Sequence, residues 1–212
     1  MGNPPLRIPI FPLNVVLLPG QTLPLHIFEP RYKLMVGTVM KNGAPFGVVR
    51  VREDAIFRVG CTANVVEIVN TYEDGRMDIA TMGRTAFRIL DIHNDMPYLE
   101  ATIDPLADNL EPGPAQVTAD LRSLFEDCYR LAHRTTPPDI SASIENDSEA
   151  PFTYQLAAKL PLHLDALQAL LEIRDESGRR RRLVEQLTEL RTQLVRIAQM
   201  RDKTAGNGHG LN

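Results

Sequence analysis

Apolar residues recur along this chain in three rhythms, and each rhythm predicts a different kind of element. Over the first thirty positions they form short runs broken by prolines: Ile8-Pro9-Ile10-Phe11, Val15-Val16-Leu17-Leu18 and Leu23-Pro24-Leu25-His26-Ile27-Phe28. Seven of the sixteen prolines fall here. Proline fixes φ and removes a ladder donor, so the runs predict edge or barrel-rim strands joined by turns. Pro30 is placed to open a helix with Tyr32, Met35, Val36 and Val39 on one face, and Asn42-Gly43 to stop it. From Phe46 the period becomes two. Residues 46–51, 64–72 (with Val66 and Ile68 on one face), 77–81, 85–92 and 98–103 read as strands. Asp74-Gly75 is a hairpin signal, and Gly83 suits a bulge or bend. About six strands and one early helix predict a small mixed β domain, closed like a barrel because closure removes free edges.

The third rhythm is helical. Val117, Leu121, Leu124, Phe125, Cys128 and Leu131 share one face until Pro137-Pro138, and helical spacing resumes over 152–160, 162–173 and 179–203. In the last stretch Leu183, Leu187, Leu190, Leu194 and Ile197 form an a/d seam too short for a coiled coil, so packing within the bundle is expected and self-association through this helix only weakly. Residues 139–150 hold four acids and three serines and read as a loop. The chain is therefore α+β: a barrel-like domain over 1–110, a helical bundle over 111–203 and a disordered tail over 204–212.

The composition, 43% hydrophobic and 24% charged, is that of a globular protein. No run approaches the roughly 18 apolar residues that span a bilayer, and the N-terminus lacks the apolar core of a signal peptide, so a cytoplasmic protein without a membrane partner is expected. The net charge is −4, yet residues 174–203 hold nine basic and five acidic side chains. This locates the basic character in the last helix and gives no general attraction to nucleic acid.

Residue types that carry catalysis are sparse. No Gly-Lys pair occurs, which excludes a P-loop, and no serine precedes Ser123. His26, His93, His133, His163 and His209 have no metal-ligand spacing, and Cys61 and Cys128 lie far apart, as small buried residues do. His26 reads as a hydrogen-bonded, partly buried residue and His163 as part of the turn into the next helix. Neither a catalytic residue nor a metal or cofactor site is expected. Arg179, Arg180, Arg181 and Arg182 are a candidate anion or RNA contact, weighed against a solvated helix start balanced by Glu172, Asp175, Glu176 and Glu185.

Several blocks together resemble the Lon protease N-terminal substrate-binding domain family in a stand-alone form. They are Ile8-Pro9-Ile10-Phe11-Pro12-Leu13, Val15-Val16-Leu17-Leu18-Pro19-Gly20, Leu23-Pro24-Leu25-His26-Ile27-Phe28-Glu29-Pro30-Arg31-Tyr32 and Met35-Val36. Phe46-Gly47-Val48-Val49, Val59-Gly60-Cys61-Thr62-Ala63, Asp74-Gly75-Arg76 and Gly83-Arg84-Thr85-Ala86-Phe87-Arg88-Ile89 follow in the family's order. The resemblance implies a PUA-like pseudo-barrel followed by a helical bundle, without the ATPase and peptidase modules of the full protease. It implies a non-catalytic protein- or peptide-binding module, an adaptor bringing unfolded or client proteins to a separate protease or chaperone. The alternative is a PUA-like RNA or small-ligand binder using the four arginines. The expected peptide site is an apolar rim of Leu13, Leu17, Leu18, Pro19 and Phe28 with Tyr32 and Met35 of the early helix.

Overall fold

The computed structural model describes residues 6–53, 55–140 and 150–206. Two compact units emerge: one takes the described chain up to Asp108 together with Leu167–Arg174, the other Asn109–Ala166 and the chain from Asp175.

The first unit contains β1 (Leu6–Leu13), β2 (Thr22–Ile27), α1 (Pro30–Asn42), β3 (Phe46–Arg52), β4 (Ala55–Ile56), β5 (Val59–Thr71), β6 (Met77–His93) and β7 (Glu100–Pro105). β1 runs antiparallel to β7 and parallel to β3, while β7, β6, β5 and β3 follow as antiparallel neighbours. The sheet thus closes on itself as the expected pseudo-barrel, with β2 added to the first half of β6 and β4 to the end of β3. Seven strands form where about six are predicted: 77–81 and 85–92 join in the single β6, and the two-residue β4 is one the periodicity does not predict. The interior is built from alternate residues of facing strands, Ile8, Ile10, Val49, Phe87, Ile89, Ala101 and Ile103. Full burial of such a side chain is worth about 1.5–3 kcal/mol.

Val15-Val16-Leu17-Leu18, read as a strand, is instead irregular backbone that is largely buried. Its hydrogen bonds explain why. Gln21 N donates to Leu18 O (3.1 Å) and Leu18 N to Gln21 Oε1 (3.1 Å), closing a turn over Pro19 and Gly20, whose φ is 76°. That turn is then stitched to β6 by Gly20 N to Gly83 O and Gly83 N to Gln21 O, both 2.9 Å. Gly83 is needed for this close approach, because a Cβ there would run into Leu18 O.

Helix α1 follows its sequence signals. Pro30 occupies the first turn, Tyr32, Met35, Val36 and Val39 are its buried face, and Gly43 ends it with φ 62°. The first unit also includes Leu167–Arg174, a stretch whose periodicity alone groups it with the helical bundle. Two contacts tie it there: Gln168 Nε2 donates to Val59 O (3.0 Å), and Arg174 Nη1 pairs with Asp108 (3.2 Å).

The second unit holds α2 (Ala115–His133), α3 (Phe152–Ala157), the start of α4 (Leu164–Glu172) and α5 (Glu176–Gly206). α2 buries Leu121, Phe125 and Cys128, and α3 buries most of its short length. Along α5 the seam is buried at Leu183 and Leu187, half-buried at Leu190 and Leu194 and exposed at Ile197. α5 therefore packs at its beginning, and its seam reaches solvent by Ile197. The tail expected from Thr204 begins as a continuation of α5 to Gly206, and the rest of it, like 141–149 of the acidic loop, lies outside the described residues.

Candidate functional site

In the first unit, exposed apolar and aromatic side chains gather around the β5–β6 hairpin. Its loop is set by Tyr72 N to Arg76 O and Gly75 N to Tyr72 O, both 2.9 Å, with Gly75 at φ 77°. Asp74 receives the Arg76 backbone N–H (3.1 Å), and this bond, helped by the Arg76 side chain, holds its carboxyl below the ordinary range. β2 lies beside β6 here, placing His26 opposite Asp78. His26 Nδ1 stands 2.6 Å from Asp78 Oδ1, and Tyr72 Oη donates to Asp78 Oδ2 (2.8 Å). The two bonds, His26 first, hold the Asp78 carboxyl below its ordinary 3.8. The His26 ring stacks 5.9 Å from Phe28 and meets Tyr72 edge-on at 5.9 Å. Phe28 itself is 58% exposed.

On the other flank of β6, β5 pairs with β3 only as far as Ala63. From Asn64 outward its second side carries no strand among the described residues, so a row of backbone donors and acceptors is open there. Register shifts leave Val66 and Val69 out of the ladder with β6, and both are exposed together with Ile68. Val65 and Asn64 also enclose, with Val39 and Met40 of α1 and with Gly43 and Ala44 just after it, a small cavity of about 150 Å³. Free backbone groups beside apolar side chains form a surface that an extended polypeptide can meet with both its main chain and its side chains.

The rim read from the sequence is mostly interior. Leu17, Leu18, Pro19 and Met35 are buried, Tyr32 is 9% exposed, and Leu13 is half-buried; of the seven, Phe28 alone is well exposed. The physical reason is the turn at Leu18–Gln21, whose bonds to Gly83 hold Leu17 and Leu18 against β6, while Tyr32 and Met35 lie on the buried face of α1. Tyr32 in addition packs against Phe11, the rings tilted by 34° with centres 4.1 Å apart, and burial pushes its hydroxyl pKa up. The hydrophobic stretch of β5, visible in the sequence as a strand, is exposed instead. The sequence signal for it is the Asp74-Gly75 hairpin, and among the described residues no further strand covers 64–71.

The four arginines divide. Arg179 and Arg180 are buried and share a single buried carboxylate, Glu176. Arg179 Nε and Nη2 donate to Glu176 Oε2 (3.1 and 3.0 Å), and Arg180 Nε to Oε1 (3.1 Å). Both readings of this run are corrected: neither a solvated helix start nor a four-arginine contact has half its guanidiniums in the core. Arg181 and Arg182 are exposed and bond to Ser177 and Glu185. The thiols are buried, with Cys61 pushed up to about 12 by desolvation and Cys128 to about 11 for the same reason. His163 Nδ1 accepts from Asp165 N (3.4 Å) at the start of α4, as a turn residue does. No cluster of three metal-ligating side chains occurs among the described residues, nor a helix long and apolar enough to cross a membrane.

Comparison with known proteins places this architecture. The family model for the ATP-dependent protease La (LON) substrate-binding domain matches residues 7–189. The chain belongs to that family. It is 27% identical over 206 residues to the Lon protease of Cytophaga hutchinsonii, covering 91% of this chain and 25% of that protein. It is 29% identical over 176 residues to the Lon protease of Amoebophilus asiaticus, covering 77% and 21%. The chain thus spans about a quarter of the length of the curated relatives it matches. Among solved structures, the Lon N-terminal domain protein from Xanthomonas campestris superposes with a TM-score of 0.68 at 23% identity, over 85% of this chain and 98% of that one. The N-terminal domain of the Mycobacterium avium complex Lon protease gives 0.61 at 14%, over 86% and 98%.

Proposed function

We propose that this chain is a non-catalytic cytoplasmic binding module that holds segments of unfolded or partner proteins and presents them to a separate protease or chaperone. The observation that carries the reading is the outer half of β5, where Val66, Ile68 and Val69 are exposed beside an unpaired strand edge, with Phe28, His26 and Tyr72 at the neighbouring hairpin. Unfolded segments bring apolar side chains and free backbone groups, the two kinds of partner that the exposed side chains and the open edge of β5 can take. The family supports it, being named for substrate binding. Binding without turnover is also in keeping with thiols that burial holds protonated. The alternative, an RNA or small-ligand binder, takes the PUA likeness literally with the four arginines as its contact, and two of these, Arg179 and Arg180, are buried against Glu176.

The test is binding of reduced, carbamidomethylated α-lactalbumin, a permanently unfolded protein, measured by fluorescence anisotropy. Ile68→Asp with Val69→Asp changes exposed positions and leaves the barrel folded, as circular dichroism will check. Affinity is expected to fall at least about tenfold in the double variant. Equal affinity for the folded variant and the parent removes β5 as the binding surface, and no binding by the parent removes the reading itself.

A further inference from the structure

The second unit contains a cavity of about 670 Å³ beside the first turns of α2. Its walls are apolar at Pro112, Ala115 and Ala119, and its polar groups are Thr118, Arg122, Ser123, Glu126 and Arg180. We propose that this cavity receives a carboxylate carried next to an apolar group on a bound polypeptide, a proposal that rests on the protein-binding reading above and names one chemical feature of the segment bound.

Glu176, Arg179 and Arg180 are 1%, 0% and 2% exposed, so two guanidiniums are buried against one carboxylate. That carboxylate is saturated. Oε2 accepts from Arg179 Nε and Nη2 and from Thr153 Oγ1 (2.8 Å), while Oε1 accepts from Arg180 Nε and Thr153 N (3.2 Å). Arg179 completes itself with Tyr154 Oη (3.2 Å). Arg180 does not. Its Nη1 donates to Thr118 Oγ1 (2.6 Å), its face lies 4.9 Å from the Phe152 ring centre, and its Nη2 makes no hydrogen bond among the described residues. The surplus positive charge of the buried cluster is therefore carried by the arginine that lines the cavity. Arg122 lines the same cavity and makes no hydrogen bond or ion pair among the described residues.

Two guanidiniums with unspent donors make an anion site, and carboxylate suits it by charge and shape. Arginine matches the planar two-oxygen geometry of a carboxylate. Glu126, although bonded to Arg130 Nη2 (2.8 Å), places a negative group in the lining that disfavours a dianion such as phosphate more than a monoanion. The volume is that of a small organic ligand rather than an ion, and walls of proline and alanine fit an aliphatic side chain beside the charge.

The experiment uses the full chain and three fluorescein-labelled octapeptides read by anisotropy. The first has a free C-terminal leucine and no acid; the second is amidated with one internal glutamate beside leucine; the third is the second with glutamine for glutamate. The third is expected to bind at least about tenfold more weakly than the better of the other two. Preference for the first assigns a chain terminus, and preference for the second an acidic side chain. Arg122→Glu, at an exposed position, is expected to cost about tenfold or more, and Arg122→Lys to recover part of it. Three results overturn the proposal: equal binding of the third peptide, unchanged binding by Arg122→Glu, or displacement of the peptide by inorganic phosphate as effectively as by N-acetyl-leucine. If α-lactalbumin binds while the peptides do not differ, the carboxylate site falls and the binding module stands. If α-lactalbumin does not bind, the module reading falls on its own test.

Discussion

At the scale of single residues, the fold depends on places where side chains are missing or held in one state. Gly83→Ala sets a methyl group against Leu18 O, where backbone rather than a pliable side chain would have to move. It is expected to destabilise the chain by about 2–4 kcal/mol, read as a lowered urea midpoint at unchanged slope. Asp78 gives a pH signature. Its pKa is lower folded than unfolded, so its contribution is fully present above about pH 4 and is lost as the pH falls through the depressed folded value. Asp78→Asn is expected to flatten that part of the acid limb in urea midpoints taken between about pH 5 and pH 2, relative to the parent chain. The thiols of Cys61 and Cys128 are expected to resist a thiol reagent at about pH 8 in the folded chain and to react together once urea unfolds it. Much of this was legible beforehand: two cysteines without ligand spacing read as buried, and Gly83 as a special backbone position. What single residues concealed was direction. Leu17 and Leu18 on one side, and Val66 and Val69 on the other, are equally apolar, and only the turn at Leu18–Gln21 and the register shifts of β5 decide which pair faces water.

Among the elements, α1 was the most legible because every signal in it agrees, from Pro30 in the first turn through four buried residues at helical spacing to Gly43 at the stop. β6 was harder. Its burial alternates through Ile79, Thr81 and Gly83, breaks at the exposed Arg84 and Thr85, and resumes at Ala86, Phe87 and Ile89, as the strand, paired with β5 from Met77 to Arg88, exchanges β2 for β7 on its other side. That break interrupts the period of two, so the sequence showed two shorter strands. α5 misled for a different reason. Four successive arginines read as surface, yet Glu176 one turn earlier collects two of them, a pairing that depends on Thr153 and Tyr154 arriving from α3. Glu176→Gln leaves both guanidiniums buried without a counter-charge and is expected to cost about 3–5 kcal/mol, seen as a lower thermal midpoint of the helical unit.

For the molecule as a whole, the α+β class and the closed sheet were legible in the sequence of rhythms, while the extent of the first unit was not. Nothing in the periodicity of Leu167–Arg174 distinguishes it from its helical neighbours; the bonds of Gln168 to Val59 and of Arg174 to Asp108 do. A chain ending at Asp108 lacks these partners, and its barrel amides are expected to exchange with deuterium faster than the same amides in the full chain. The closure of the sheet has a further consequence, for the order of events during synthesis. β1 is made first, but its two neighbours are β3 and β7, and the segment that completes the unit ends only at Arg174. At about 5–20 residues per second, the ribosome needs several seconds beyond Pro105 to deliver that segment. For that interval the nascent barrel stands incomplete, with the Val59 carbonyl and the Asp108 carboxylate awaiting the donors that will occupy them.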